Sequence, residues 1–267
     1  MQISRNRKFN STKLGWLRVT MGMTYFFLYV PIIALVGMSF NASDSPFTWN
    51  GFSTKWYGVL VNDSTVMKGL TNTLIVAFTS TLLATILGTA LAVGLHQYTK
   101  SSFLNAFALA PAIMPDIVLG IGLLALFALL SMTLGLYSVV IAHVVFSMAF
   151  VSAVVKARLS NSDPALREAS MDLGATRSTT FFKITLPSLT PAIVAGALLA
   201  FTLSLDEFVI AFFTNGPATP TLPIIIYSMV RFGVTPEINA LASLLMLVSF
   251  TAVIGAQRMT KLAEAQS

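Results

Sequence analysis

Uncharged apolar stretches recur along the chain, each close to the ~20 residues that a helix needs to cross the hydrocarbon layer of a bilayer. With charges, Pro and Gly as punctuation, they predict six spans, at 19–40, 70–95, 102–130, 135–155, 187–213 and 238–257. Residues 117–155 carry no charge except a possible one on His143. As a single helix they would reach roughly 58 Å, so they must fold back, and "SMTLG" at 131–135 is the predicted turn. Between the last two spans, residues 214–237 are Pro-rich around the apolar run "IIIYSMV". That run is too short to cross, which predicts a re-entrant or interfacial segment. At the start, Arg5, Arg7, Lys8, Lys13 and Arg18 precede an uncharged run over 19–43. It exceeds the ~7–15 apolar residues of a signal peptide, so it is read as an uncleaved first span.

Composition agrees with the pattern. The 267 residues are 55% hydrophobic with 20 Phe, and the mean hydropathy is +0.80. No soluble core of this size needs so much apolar surface, so the expected fold class is all-α integral membrane, with residues 1–267 as one transmembrane domain. The absence of Cys removes disulfides, thiolate catalysis and Cys-based metal sites. A net charge of +6 would point to nucleic acid in a soluble protein, but here the placement of the charges matters more. If the amino terminus is inside, the inner segments 1–18, 96–102, 156–186 and 258 onward hold 13 of the 16 Lys and Arg, leaving Lys55, Lys68 and Arg231 outside. Basic residues resist translocation, so both termini are expected in the cytoplasm and no nucleic-acid partner is expected.

One segment breaks the apolar pattern. "PALREASMDLGATRSTTFFKITLP" at 164–187 carries five charges between two greasy stretches, in a chain only 10% charged. Asp163 is a good N-cap, Pro164 suits the first helical position and Gly174 is a natural stop. A helix of ~15 Å is expected there, then a second short helix in "TRSTTFFKI", with "LP" opening the fifth span. Such a pair has too little core to be a domain and is read as a cytoplasmic knob that fits another protein. In span two, Ala84, Gly88 and Ala92 recur every four residues beside Thr81, Thr85 and Thr89, a spacing that lets helices approach closely in lipid. It serves packing within one subunit or an interface between subunits.

The charged segment resembles the EAA loop of permease subunits of ATP-binding-cassette importers. Glu168, Ala169 and Ser170 are followed after three residues by Gly174, after nine more by Ile184, and then by Leu186 and Pro187. Ser170 stands where the family has its second Ala. At roughly 5–10% usage per residue type, six such matches at fixed spacing arise by chance on the order of once in a million starting points. The resemblance implies a type I importer permease fold with a coupling helix between spans four and five. It also implies that Glu168, Ala169, Ser170, Asp172, Gly174, Ile184, Leu186 and Pro187 contact an ATPase subunit. No G-x-x-x-x-G-K-[ST] occurs in the chain, so ATP and Mg are expected on that separate ATPase, with no cofactor and no catalytic residue here.

The intramembrane acids invite a second reading. Asp116 lies about 13 residues into span three, and Asp206 and Glu207 lie toward the outer end of span five. A carboxylate at a helix centre costs about 2.5–3.5 kcal/mol on insertion scales, and no span supplies a Lys or Arg. Either the acids face a shared aqueous path and attract an amine cation, helped by Phe208, Phe212, Tyr227 or Trp56 through cation–π contact, or they are protonated or pair with a second subunit. Adjacent helix positions differ by about 100°, so Asp206 and Glu207 cannot both face the path, and Asp206 is preferred. His143 has no ligand-type neighbour in sequence and is read as a helix-packing hydrogen bonder, not a metal ligand. Lys55, Trp56 and Tyr57 read as an interfacial anchor or a contact for an external protein.

"MPDIV" (114–118), "SLDEFVIAFFTNGP" (204–217), "LPIIIYSMVRFGVTPEINALA" (222–242) and "GFSTKWY" (51–57) resemble the spermidine/putrescine permeases of that class, and Asn72, Thr73 and Leu74 match a general permease habit. The resemblance implies a heterodimer with a homologous permease, an ATPase dimer, an extracytoplasmic binding protein and a bacterial inner membrane. Another small solute such as an amino acid, a proton-coupled carrier and a non-transporting scaffold stay open as alternatives.

Overall fold

The computed structural model describes residues 11–45, 48–99, 101–233 and 235–265. Arg5, Arg7, Lys8 and Lys100, part of the expected inner charge, lie outside them. Twelve α-helices follow one another among the described residues: α1 Ser11–Met38, α2 Lys55–Asn62, α3 Ser64–Gln97, α4 Ser102–Ile113, α5 Asp116–Leu129, α6 Leu136–Ser160, α7 Pro164–Asp172, α8 Arg177–Thr180, α9 Leu186–Asp206, α10 Val209–Thr214, α11 Leu222–Phe232 and α12 Pro236–Ala265. A π-helical turn, Phe181–Thr185, joins α8 to α9. The chain divides into two compact units, Met1–Leu60 with Gly233–Leu244 and Val61–Phe232 with Leu245–Ser267.

In the larger unit, α3, α6 and α9 pack on one another, and small residues explain how. A Cβ added to Gly88 would sit 2.8 Å from the carbonyl oxygen of Met148 and 2.8 Å from Val151 Cβ, and one on Gly196 would sit 3.4 Å from Val151 Cα. Val151 of α6 therefore fills the space that a glycine leaves on each neighbour, with Ala92, Val155, Leu189 and Ala200 buried around it. Ala84, Gly88 and Ala92 thus pack within the subunit. A second cluster joins Leu119, Leu123 and Phe127 of α5 to Ala142 and Phe146 of α6 and Ile210 of α10. Between the three long helices runs a polar thread. His143 Nδ1 lies 2.7 Å from Ser204 Oγ, which lies 3.1 Å from Ser80 Oγ.

The turn predicted at 131–135 is present, and Ser131 takes the left-handed conformation there, φ 54°. The third span differs from the straight crossing expected at 102–130. It is two helices, α4 and α5, bent by 106°. Pro115 supplies the reason: it disfavours helical backbone in the preceding residue, and Met114 is extended at φ −69°, ψ 144°. The fifth span also ends earlier than 213, because α9 stops at Asp206 and the chain restarts as α10. Four described helices are long and apolar enough to cross a membrane, and the bent pair makes up to five. The sixth expected span, 238–257, falls within α12, whose side chains at 252–253 and from 256 onward lie outside those described. The segment expected to be re-entrant contains the short apolar helix α11.

In the smaller unit, residues 51–57 fold back on the stretch after α1. Trp56 Nε1 donates to the Asn41 carbonyl at 2.9 Å, Lys55 pairs with Asp44 at 2.8 Å, and Ser39 and Tyr57 share a hydroxyl contact of 2.7 Å.

Candidate functional site

Two places gather the residues singled out in the sequence, one at each end of α9.

At the first end is the knob. Asp163 Oδ1 accepts from Ala165 N at 2.9 Å, and Pro164 occupies the first turn, where a missing N–H costs nothing. The helix ends at Gly174, whose φ of +87° only glycine adopts without strain. Gly174 N donates to Met171 O at 2.9 Å and Ala175 N to Ser170 O at 3.2 Å. These two bonds form a Schellman stop, which reverses the chain sharply. Ser170 Oγ then meets Thr180 Oγ1 at 3.0 Å, so the hydroxyl at that position ties α7 to α8. Thr176 caps α8 through Thr179 N. The expected independent second helix is instead continuous with α9. Pro187 cannot donate to the Lys183 carbonyl in the α-helical manner, and the chain widens into the π-turn immediately before it, with Leu186 N bonding Phe181 O.

Glu168, Ala169, Asp172 and Gly174 are exposed on α7 and its stop, while Ser170 is half-buried. Leu173 is 89% exposed and Leu166 64% exposed. Ile184 lines a cavity of about 290 Å³ together with Pro164, Leu166 and Arg167. Leu186 and Pro187 open α9 and do not line that cavity. The knob therefore presents leucines and carboxylates outward from a stiffly capped helix, which is the chemistry of a small protein–protein contact.

At the other end are the acids. Asp206 is the last residue of α9 and is exposed. Glu207 follows it with extended backbone, and its Oε1 accepts from Ile210 N at 2.8 Å, satisfying the start of α10. Asp116 is not inside a helix, as the sequence reading placed it, but is the first residue of α5, where the helix dipole favours a negative charge. Glu207 lies within electrostatic range of both Asp116 and Asp206. None of the three pairs with a Lys or Arg among the described residues.

Aromatic rings adjoin them. Phe208 lies 4.8 Å from Tyr227 and 5.5 Å from Phe212, centroid to centroid, and Phe212 lies 6.0 Å from Tyr227. Tyr227 is brought in from α11 by contacts of Asn72 and Thr73, residues the sequence singles out only as a permease habit and to which it gives no partner. Thr73 Oγ1 accepts from Leu222 N at 2.8 Å, capping α11, and Asn72 Nδ2 donates to Pro220 O at 3.0 Å. Ser138 Oγ donates to Thr214 O at 2.6 Å and holds the end of α10 in place. The arrangement suits an organic cation: carboxylates with no basic partner and ring faces that attract positive charge.

Residues 84–260 match the family described as binding-protein-dependent transport system inner membrane component. The putrescine transport system permease protein PotI of Escherichia coli strain K12 is 44% identical over 240 residues, covering 86% of this chain and 85% of that protein. The spermidine/putrescine transport system permease protein PotC of the same strain is 42% identical over 235 residues, covering 87% and 89%. PotC of Haemophilus influenzae is 39% identical, covering 90% and 95%. Among solved structures, a bacterial ABC transporter involved in import of the acidic polysaccharide alginate superposes with a TM-score of 0.71 at 18% identity, covering 94% of this chain and 97% of that one. The MetNI methionine ABC transporter superposes at 0.63 and 19% identity, covering 79% and 99%.

Proposed function

The chain belongs to the binding-protein-dependent transport system inner membrane components, and from that premise we propose that it is the permease subunit of an ATP-driven polyamine importer. It is a multi-pass inner-membrane protein, with both termini in the cytoplasm. It pairs with a homologous permease, binds a dimer of ATPase subunits that carry ATP and Mg, and receives spermidine or putrescine from an external binding protein.

The observation that carries the cargo reading is the group of Asp116, Asp206 and Glu207 beside the rings of Phe208, Phe212 and Tyr227. Like charges brought together repel unless a cation sits among them, and a polyamine offers ammonium groups on an aliphatic stem. Asp206 is the exposed carboxylate and faces the path, while Glu207 holds α10. The knob from Glu168 to Gly174, with Ile184, Leu186 and Pro187 at the head of α9, is the ATPase contact. Closing of the ATPase dimer moves α7, and α9 carries that movement about 30 Å to the acids, opening the path outward to take the cargo; hydrolysis resets it inward.

The test is ATP hydrolysis by the complete complex in nanodiscs. Binding protein loaded with putrescine or spermidine should raise it, and empty binding protein should not. Stimulation by an unrelated solute alone would reassign the cargo, and failure of the chain to associate with any ATPase would remove the proposal.

A further inference from the structure

Beside the knob, on the side facing α3 and the start of α9, is a cavity of about 440 Å³. Arg167 of α7 and Arg177 of α8 both line it, with Gln97, Ser178 and Thr180, and no carboxylate does. Neither arginine forms an ion pair among the described residues. The Nε of Arg167 is sealed from solvent with no hydrogen-bond partner. A buried guanidinium N–H left unmatched is costly, and two guanidinium groups lining one cavity without a counter-charge repel each other. The neighbouring cavity, which shares Arg167, contains Asp163; this one holds nothing of opposite sign. Its apolar lining is Val93, Met171 and the edge-to-face rings of Phe181 and Phe182, 5.1 Å apart, beside Tyr98 and Thr185.

We propose that this cavity binds a phosphate-bearing anion, the headgroup of an anionic phospholipid, with the phosphate on Arg167 and Arg177 and the glycerol and first acyl carbons against Phe181, Phe182 and Val93. Guanidinium forks match phosphate oxygens in pairs. The volume exceeds a phosphate alone and lies in the range of small-ligand pockets, roughly 300–1,000 Å³. Basic pockets between membrane helices at the cytoplasmic face are where anionic headgroups are held. The bound lipid brackets α7, α8 and the π-turn, so it stiffens the joint through which the knob would drive α9. Assigning the lipid to the inner leaflet rests on the cytoplasmic placement of the knob proposed above; binding itself does not.

The test is lipid retention by the full complex, with its ATPase in place, in nanodiscs of phosphatidylcholine with phosphatidylglycerol, read by native mass spectrometry after transfer to detergent. Wild type should retain phosphatidylglycerol in preference to phosphatidylcholine, and the Arg167→Gln/Arg177→Gln variant should retain roughly tenfold less, as loss of paired charge-assisted contacts implies. Arg177→Lys, which keeps the charge but not the fork, should fall between them and also serves if the double variant does not assemble. Displacement by millimolar inorganic phosphate identifies the phosphate as the recognised group. If no lipid is retained but phosphate raises the unfolding temperature of wild type and not of the variant, the source is free phosphate. Equal phosphatidylglycerol retention in wild type and variant, or no preference between the two lipids together with no response to phosphate, overturns the proposal. Retention is scored without transport, so a failure to import polyamines leaves this result standing, and its own failure leaves the coupling reading intact.

Discussion

Asp206 and Glu207 are neighbours in the chain with different surroundings, and two substitutions separate the roles proposed for them. Asp206 is exposed at the end of α9 and forms no ion pair among the described residues. Asp206→Asn should leave thermal stability unchanged and weaken putrescine uptake about tenfold, the equivalent of one charge-assisted contact of roughly 1.5 kcal/mol. Uptake kinetics equal to wild type would remove this acid from the path. Glu207 caps α10 through Ile210 N. Glu207→Ala should cost about 1 kcal/mol of stability, as loss of a helix cap does, while Glu207→Gln keeps the accepting oxygen and should unfold near the wild-type temperature. If both variants melt alike, the cap is not what holds this carboxylate. The aromatic partners of these acids were visible in the sequence as residue types but not as a cluster, because Tyr227 reaches Phe208 through contacts with Asn72 and Thr73 almost 150 positions away.

At the scale of elements, α7 is the part most fully legible from sequence, because every device that shapes it is local. Asp163, Pro164 and Gly174 announce the start and stop by side-chain chemistry alone, and all three act as expected. The α4–α5 break was harder to read. Apolar residues run from Ala106 to Pro115 and resume directly after Asp116, and hydropathy has no way to distinguish a bend from a crossing. The π-turn before Pro187 was hidden for a similar reason, since the proline was read as a helix start when the helix was already under way. Gly174→Asp forces an L-residue into left-handed backbone at a cost of about 1–2 kcal/mol, and it adds a negative charge at a helix C-terminus, where the dipole opposes it. Insertion and complex yield should persist while ATP-dependent uptake is lost; normal transport would remove the coupling role of α7. Gly88→Val places new carbons against Met148 and Val151. Overpacking of this kind costs roughly 1–3 kcal/mol, so the variant should melt earlier and yield less, and wild-type stability would mean that α3 and α6 are not tightly apposed at this point.

Across the whole molecule, the proposed coupling depends on α9 having a different neighbour at each end. Its head continues from the knob through α8 and the π-turn, and its tail is Asp206 beside the aromatic rings. Gly196 and Ala200 pack against α6 between the two, which is what the proposed transmission of movement along α9 requires. The most direct test of that link is uptake of labelled putrescine into proteoliposomes containing the complete complex, binding protein outside and ATP within, compared between wild type and Gly174→Asp. Wild-type uptake should require ATP and the ATPase subunits, and the variant should assemble yet accumulate nothing. Accumulation by this chain alone on a pH gradient, or undiminished uptake by the variant, would contradict the account.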